Sequence, residues 1–262
     1  MEYQELAPPP PLDEVVHCFW FLRDPDGGAA GAPPQTVVPD GRLEIVIHLA
    51  EPFAFVDGAG VHHRQAPVLI GGQLTSPIRL AARGPSDVVG IRFRTDGARR
   101  VLPFPLAEVT GGVVPLAELL PRLAGALADA AASREEAAAR AGALSRILGR
   151  TAHVEASPVL SSAVRSLGAP RAPRLEALAR ELGVSVRTLE RRVRDEVGLS
   201  PRDLRRVLRF RRAFRLLDGT PQGAWTRVAL AAGYFDQAHL IRDFRRLAGA
   251  PPSAFFQSDP DL

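Results

Sequence analysis

The sequence contains no lysine: all 33 of its positively charged side chains are arginine. Beside the abundance of Ala, Gly and Pro this reads as a compositional habit, so the number of arginines says little and their distribution says more. Cysteine is nearly absent too. The single Cys18 excludes an internal disulfide and any zinc site built from several cysteines, and its neighbours Val15, Val16, Phe19 and Trp20 point to a buried, unreactive thiol. No run of about 18 or more apolar residues appears, and the amino terminus has no basic segment leading into an apolar one. The expectation is a cytoplasmic protein with neither a membrane span nor a signal peptide.

Catalytic patterns are missing as well. Metal sites on β barrels need two or three His plus a carboxylate from neighbouring strands. Here His62 and His63 are adjacent and point to opposite faces of a strand, while His48 and Glu44 can share a face but supply only two ligands. No Ser/His/Asp set, Gly-rich phosphate loop or cofactor box is present. The sequence therefore implies no enzyme, no metal and no cofactor; a cupin-type metal enzyme or a ligand-binding protein is the alternative.

What is present is enough for two domains: 262 residues, 46% of them apolar. Charge is unevenly divided. Residues 171–250 hold 18 Arg against 9 Asp plus Glu, a balance of +9, and the rest carries −5, giving the +4 of the whole chain. A basic carboxyl-terminal third on a mildly acidic body is the footprint of a nucleic-acid-binding module.

Residues up to about 95 read as β structure. The segment 43–49 alternates, with Leu43, Ile45, Ile47 and Leu49 on one face and Glu44, Val46 and His48 on the other. Further strands are expected at 15–22, 53–56, 68–70, 78–82 and 88–93, separated by Gly- and Pro-containing turns, with 25–34 a loop. Many short strands at this spacing predict a jelly-roll or cupin-like barrel or sandwich. After Asp96 the pattern becomes helical: 116–132 and 135–148 are Ala/Leu-rich, with a capping box at Ser133 to Glu136. Their apolar stripe suits the protein's own core and a homodimer interface equally well. A polar step at 151–158 places a boundary between domains 1–150 and 157–257, the second opening on a helix capped by Ser157 with Pro158 at its first position. The predicted fold class is thus α+β in two domains.

The carboxyl-terminal region contains an internal repeat. Adding 51 to Ser185, Leu189, Arg191, Val193, Gly198, Pro201 and Leu204 gives Asp236, Leu240, Arg242, Phe244, Gly249, Pro252 and Phe255. Cap, apolar face, one arginine and the Gly/Pro exit all recur, so each unit reads as a helix-turn-helix. Ala179 plus 50 gives Ala229, so the second unit's turn is one residue longer. By helical period Val186, Leu189 and Val193 face inward and leave Arg187, Thr188, Glu190, Arg191 and Arg194 outside, with Glu190 paired to Arg187 or Arg194. In the second unit Leu240, Phe244 and Leu247 face inward and leave Gln237, Ala238, Ile241, Arg242 and Arg245 outside. Arginine can fork onto guanine and Gln onto adenine, whereas arginine or a capping hydroxyl can also hold phosphate without reading sequence. Between the units, 201–217 reads as an Arg-rich helix stopped by Gly219, a strut between two reading heads with some arginines near the DNA backbone.

The run Gly233-Tyr234-Phe235-Asp236-Gln237-Ala238-His239-Leu240, followed by Arg242, Phe244, Arg245, Arg246, Gly249 and Pro252 to Phe255, resembles the two-motif DNA-binding domain of AraC/XylS-family bacterial transcription regulators. Pro251 and Phe235 stand where that family commonly has Ser or Thr and a small polar residue. The resemblance implies two helices entering successive major-groove segments of double-stranded DNA, roughly 34 Å apart. The segments 38–47 and 89–98 are similar to a sensor-like β domain of some of these regulators. A small-molecule effector in the barrel is then expected, with Trp20, Arg42, Glu44, His48 and Arg92 as candidate wall residues. A regulator that binds a protein partner and no longer reads DNA is the other alternative.

Overall fold

The computed structural model describes residues 1–151, 157–217 and 224–258. In the first part the strands are β1 (Glu2–Leu6), β2 (Val16–Asp24), β3 (Gln35–Val37), β4 (Glu44–His48), β5 (Ala54–Val56), β6 (His62–Arg64), β7 (Val68–Gly71), β8 (Ile78–Ala81), β9 (Ser86–Phe93) and β10 (Val113–Pro115). They form two antiparallel sheets, ordered β1-β2-β9-β4-β7-β10 and β3-β8-β5-β6. The alternation read at 43–49 sets the pleat. Ile45 stands opposite Ile91, and Ile91 opposite Phe19, so these residues share one face; Glu44 stands opposite Arg92 on the other.

The apolar face of the larger sheet, with Phe19, Phe21, Ile45, Ile47, Val89, Ile91 and Phe93, is buried against helices. These are α1 (Leu116–Leu119), α2 (Pro121–Ala132) and α3 (Ala137–Thr151), which contribute Leu116, Leu123, Leu127, Leu144 and Leu148. Fully burying each such side chain stabilises the domain by about 1.5–3 kcal/mol. Between sheet and helices lies one buried charge, Arg140, whose guanidinium forks onto both oxygens of Asp87 at 2.7 and 2.9 Å.

Several local expectations need correction. The expected helix 116–132 is broken at Leu120 (φ −140°, ψ 69°), because the ring of Pro121 excludes the helical conformation from the residue before it. Ser133 does not open α3 as a capping box: it ends α2, and its hydroxyl donates to the carbonyl of Ala130 at 3.4 Å. Strands β1, β3, β6 and β10 escaped the sequence reading because they are short or carry exposed polar residues, so no alternation marks them.

The second part has its own core. It comprises α4 (Pro158–Leu167), α5 (Leu175–Glu181), α6 (Val186–Val197), α7 (Pro201–Leu217), α8 (Trp225–Ala232), α9 (Gln237–Ala248) and α10 (Pro252–Ser258). Leu178, Leu189, Val193, Leu204, Phe210, Phe244, Leu247 and Phe255 are buried together. The boundary step falls mainly on 152–156, and the Gly219 stop on 218–223, both outside the described residues. Ser157 caps α4 as expected, accepting from the backbone N–H of Leu160 at 3.2 Å. Among the described residues no helix is long and apolar enough to cross a membrane.

The two parts touch. Gly41 lies against Leu208 and Val207 of α7, and the Ser161 hydroxyl donates to Asp96 at 2.6 Å. The Thr110 hydroxyl donates to the carbonyl of Gly198, at the carboxyl end of α6.

Candidate nucleic-acid interface

Each helix-turn-helix is built by the same local contacts. Backbone N–H to C=O bonds join Val184 to Ala179 at 3.0 Å and Tyr234 to Ala229 at 2.9 Å, so the two turns fold back identically. Gly183 and Gly233 take the left-handed conformation (φ 66° and 90°) that ends the first helix of each pair. Gly233 is further constrained, since a side-chain carbon there would lie 2.3 Å from the Pro170 carbonyl oxygen. The side chains of Ser185 and Asp236 then accept from the backbone N–H groups of Thr188 and His239, capping α6 and α9. Gly198 and Gly249, again left-handed, close both helices.

The inward stripes are as the period predicts: Leu189 and Val193 in α6, and Leu240, Phe244 and Leu247 in α9, are buried, with Val186 half-buried. Arg187, Glu190, Arg191 and Arg194 stand exposed on α6, with Thr188 half-buried and hydrogen-bonded to Ser185 at 2.8 Å. On α9 Ala238, Arg242 and Arg245 are exposed, whereas Gln237 and Ile241 are half-buried. The Gln237 amide oxygen accepts from the Thr226 hydroxyl of α8 at 2.9 Å, which orients it at the start of the helix. Glu190 makes no ion pair with Arg187 or Arg194 among the described residues, a correction to the expected internal pair; both arginines are left to other partners.

The strut also needs correction. Its arginines are not generally turned outward. Arg209 donates to Asp243 of α9 at 2.5 Å and lies 4.3 Å over the ring of Tyr234, Arg206 meets Asp203 at 3.0 Å and Asp243 at 3.6 Å, and Arg212 donates to the Ala232 carbonyl at 3.0 Å. A buried carboxylate needs cationic partners, and Asp243 takes two from α7. Sequence reasoning missed Asp243; the i, i+4 pair His239 and Asp243 facing an Arg-rich helix was the available signal.

The amino-terminal candidates fall into two places. Trp20, Glu44 and Arg92 form one cluster on the face of the larger sheet opposite the core. The indole N–H donates to Glu44 at 3.1 Å, Arg92 pairs with Glu44 and, at 2.9 Å, with Glu5, and the Trp20 ring covers Gly90, where any side chain would collide with it. Burial alone would lower the Arg92 pKa, but Glu44 outweighs it and raises it. His48 lies further along the same face, buried, hydrogen-bonded to Gln65 at 3.2 Å and edge-on to Phe53. Burial pushes its pKa down to about 4.

Arg42 sits instead at the junction with α7. Its backbone N–H donates to Asp40 at 2.9 Å, but among the described residues its guanidinium has no ion-pair partner. Burial, and then Arg211 of α7, depress its pKa to about 10; Arg211 is lowered by burial in turn, and His17 beside them is pushed down to about 4 by burial and by Arg42, Arg211 and Arg92. Neither Arg211 nor His17 was a sequence candidate, because nothing in the sequence brings residues 17, 42 and 211 together. Cys18 is buried, its thiol pKa pushed up to about 11 by burial, as its apolar neighbours suggested. Among the described residues no three His, Cys, Asp or Glu side chains converge on a metal-sized site.

The model of a helix-turn-helix domain family matches residues 178–258, and that of a domain of unknown function (DUF6597) matches residues 4–115. No curated protein is significantly similar to the chain. Among solved structures, the carboxyl-terminal domain of AraT, a response regulator from Geobacillus stearothermophilus, is 25% identical, covering 39% of this chain and 86% of that one with a TM-score of 0.35. The DNA-binding domain of AdpA, a global transcriptional factor solved with a target DNA, is 28% identical over 40% of this chain and 95% of that one, with a TM-score of 0.34. ToxT from Vibrio cholerae O395 is 10% identical, covering 92% of this chain and 99% of that one with a TM-score of 0.49.

Proposed function

We propose that this chain, which carries an AraC-type helix-turn-helix domain over residues 178–258, is a cytoplasmic, non-catalytic transcription regulator that binds double-stranded DNA sequence-specifically. The supporting observation is the duplicated presentation of α6 and α9. Both helices bury the same apolar stripe, carry side-chain caps at the same place and hold an exposed arginine at the same offset, Arg191 and Arg242. A helix that enters the major groove reads bases with the outward residues of its first turns. Those residues here are Arg187, Thr188 and Arg191 in one head, and Gln237, Ala238 and Arg242 in the other, with Arg194, Ile241 and Arg245 further along. Genome-wide mapping of bound sites tests this. The expected result is a motif of two short elements about one helical turn apart; a protein that enriches no DNA sequence would support the partner-binding alternative.

Arg42 and Arg211 suit a second role, the sensing of an effector at the domain junction. Residues 1–150 act as the sensor and 157–257 as the reader, and a small-molecule effector biases one through the other. Both guanidiniums are half-buried at the junction, burial and Arg211 disfavour the charge of Arg42, and Asp40 is a nearby countercharge to each. An effector bearing a carboxylate or phosphate would join both arginines and so bind one relative arrangement of the domains better than others. A thermal-shift screen of carboxylates and phosphates on the full-length protein tests it: stabilisation by one class is expected, and no response across a broad panel would leave the β domain a structural or dimerising part.

A further inference from the structure

The one-residue difference between the two turns can be assigned to a single side chain. Val184 and Tyr234 are equivalent, because their N–H groups bond Ala179 and Ala229, themselves equivalent, and both side chains turn into the core. In the first motif the cap Ser185 follows Val184 directly. In the second, Phe235 stands between Tyr234 and the cap Asp236. Phe235 is therefore the inserted residue.

Its placement is unusual for a phenylalanine. It is 85% exposed, and Leu230, on α8 of the same motif, is 59% exposed. The protein holds this tip in position from below: Gly233 is wedged against Pro170, Tyr234 is buried under Arg209 and edge-on to His239, and Asp236 is tied to the first turn of α9. Phe235 is thus presented at the leading end of α9, next to Gln237 and Ala238. The exposed charges of this head, Arg227, Arg242, Arg245 and Arg246, are all positive. A cationic rim suits a polyanion better than an apolar protein surface.

We infer that Phe235 is a specificity-determining residue of the second reading head that seats its ring on the 5-methyl group of a thymine in the major groove. Phenylalanine is among the side chains that make apolar contact with that methyl, which distinguishes a T·A pair from the others. The first head, with no inserted residue, has no counterpart, so the two half-sites differ in their need for thymine. This rests on the DNA-binding reading, and the test separates the two.

The experiment measures affinity by fluorescence anisotropy on a mapped site, scanning thymines one at a time to uracil, which removes only the methyl. The proteins are the parent, Phe235→Ala and Arg242→Ala. The parent is expected to lose about fourfold at one thymine of the second half-site, the worth of one methyl group. Phe235→Ala is expected to bind the unmodified site about tenfold more weakly and to show no further loss at that position. An unchanged melting temperature is expected for this variant, since the ring is exposed. If Arg242→Ala weakens binding while Phe235→Ala matches the parent, or if the uracil penalty is the same with and without the ring, the thymine contact is wrong. If transcription falls in Phe235→Ala at unchanged DNA affinity, the ring serves a protein partner and the inference also fails. If neither variant changes binding, the reading face itself is wrong.

Discussion

Arg209 of α7 and Asp243 of α9 are joined at 2.5 Å in a half-buried ion pair, although they lie 34 residues apart. The bond fixes the second recognition helix to the strut that links the two heads. Arg206 and His239 complete the cluster at 3.6 and 3.9 Å from the same carboxylate, and the Tyr234 ring lies beneath Arg209.

Asp243→Ala should therefore destabilise the carboxyl-terminal domain by about 3 kcal/mol, because it leaves Arg209 without a carboxylate in a poorly solvated place, while Arg206 keeps Asp203. Chemical denaturation of the full-length protein would check this. A variant as stable as the parent would show that α7 and α9 are held by apolar packing alone.

Arg191→Ala and Arg242→Ala should each weaken binding to the mapped site by about 1–3 kcal/mol and relax selectivity at one base pair. If these arginines hold phosphates instead, the loss will be uniform across sequences and the salt dependence will be shallower. Parent-like binding by both variants would remove the two helices from the interface.

At the domain junction, Arg42→Gln should raise the melting temperature slightly in the absence of effector, since burial and Arg211 disfavour the charge of Arg42, whereas Arg211→Gln, which also gives up the attraction of Asp40, should change it little. The same variants should lose the stabilisation that an anionic effector gives the parent. A variant that still responds fully would place the effector elsewhere. One such place is the cleft of about 580 Å³ lined by Phe55, Ile78, Arg79, Gly249 and Phe255.

His48 gives a pH dependence of definite sign. Its pKa is near 4 in the folded chain and 6.5 is its ordinary value, so the unfolded chain binds the proton more readily between these limits. Stability is then full above pH 6.5 and falls as pH drops from there towards 4, by at most about 3 kcal/mol from this group. His48→Gln should flatten that part of the curve. An unchanged slope would assign the dependence to other groups, His17 first among them.

Most of the architecture was legible from periodicity and caps. The alternation at 43–49 gave the two faces of the larger sheet, and the 51-residue repeat gave both helix pairs with Ser185, Asp236, Gly198 and Gly249 in their roles. These are local signals: a side chain two or four residues away is on the same face whatever the rest of the chain does. The break at Pro121 was legible too, from the proline alone, but the Ala/Leu stripe drew the helix across it. The outward residues of α6 and α9 followed from the buried ones by subtraction.

The sequence by itself determined the reading heads, because caps, turns and amphipathic faces act within a few residues. Only the tertiary structure decided which arginines are free to meet DNA and which are spent on internal partners. Arg191 and Arg209 look alike in sequence; one stands in solvent, and the other is held between Asp243 and Tyr234 by a fold that brings α7 onto α9. The same holds for Arg42 and Arg211, made neighbours by the packing of Gly41 on Leu208, and for Phe235, whose exposure follows from which of two adjacent aromatic residues the core accepts. Electrostatic and packing partners are chosen by distance in space, and distance along the chain does not encode it.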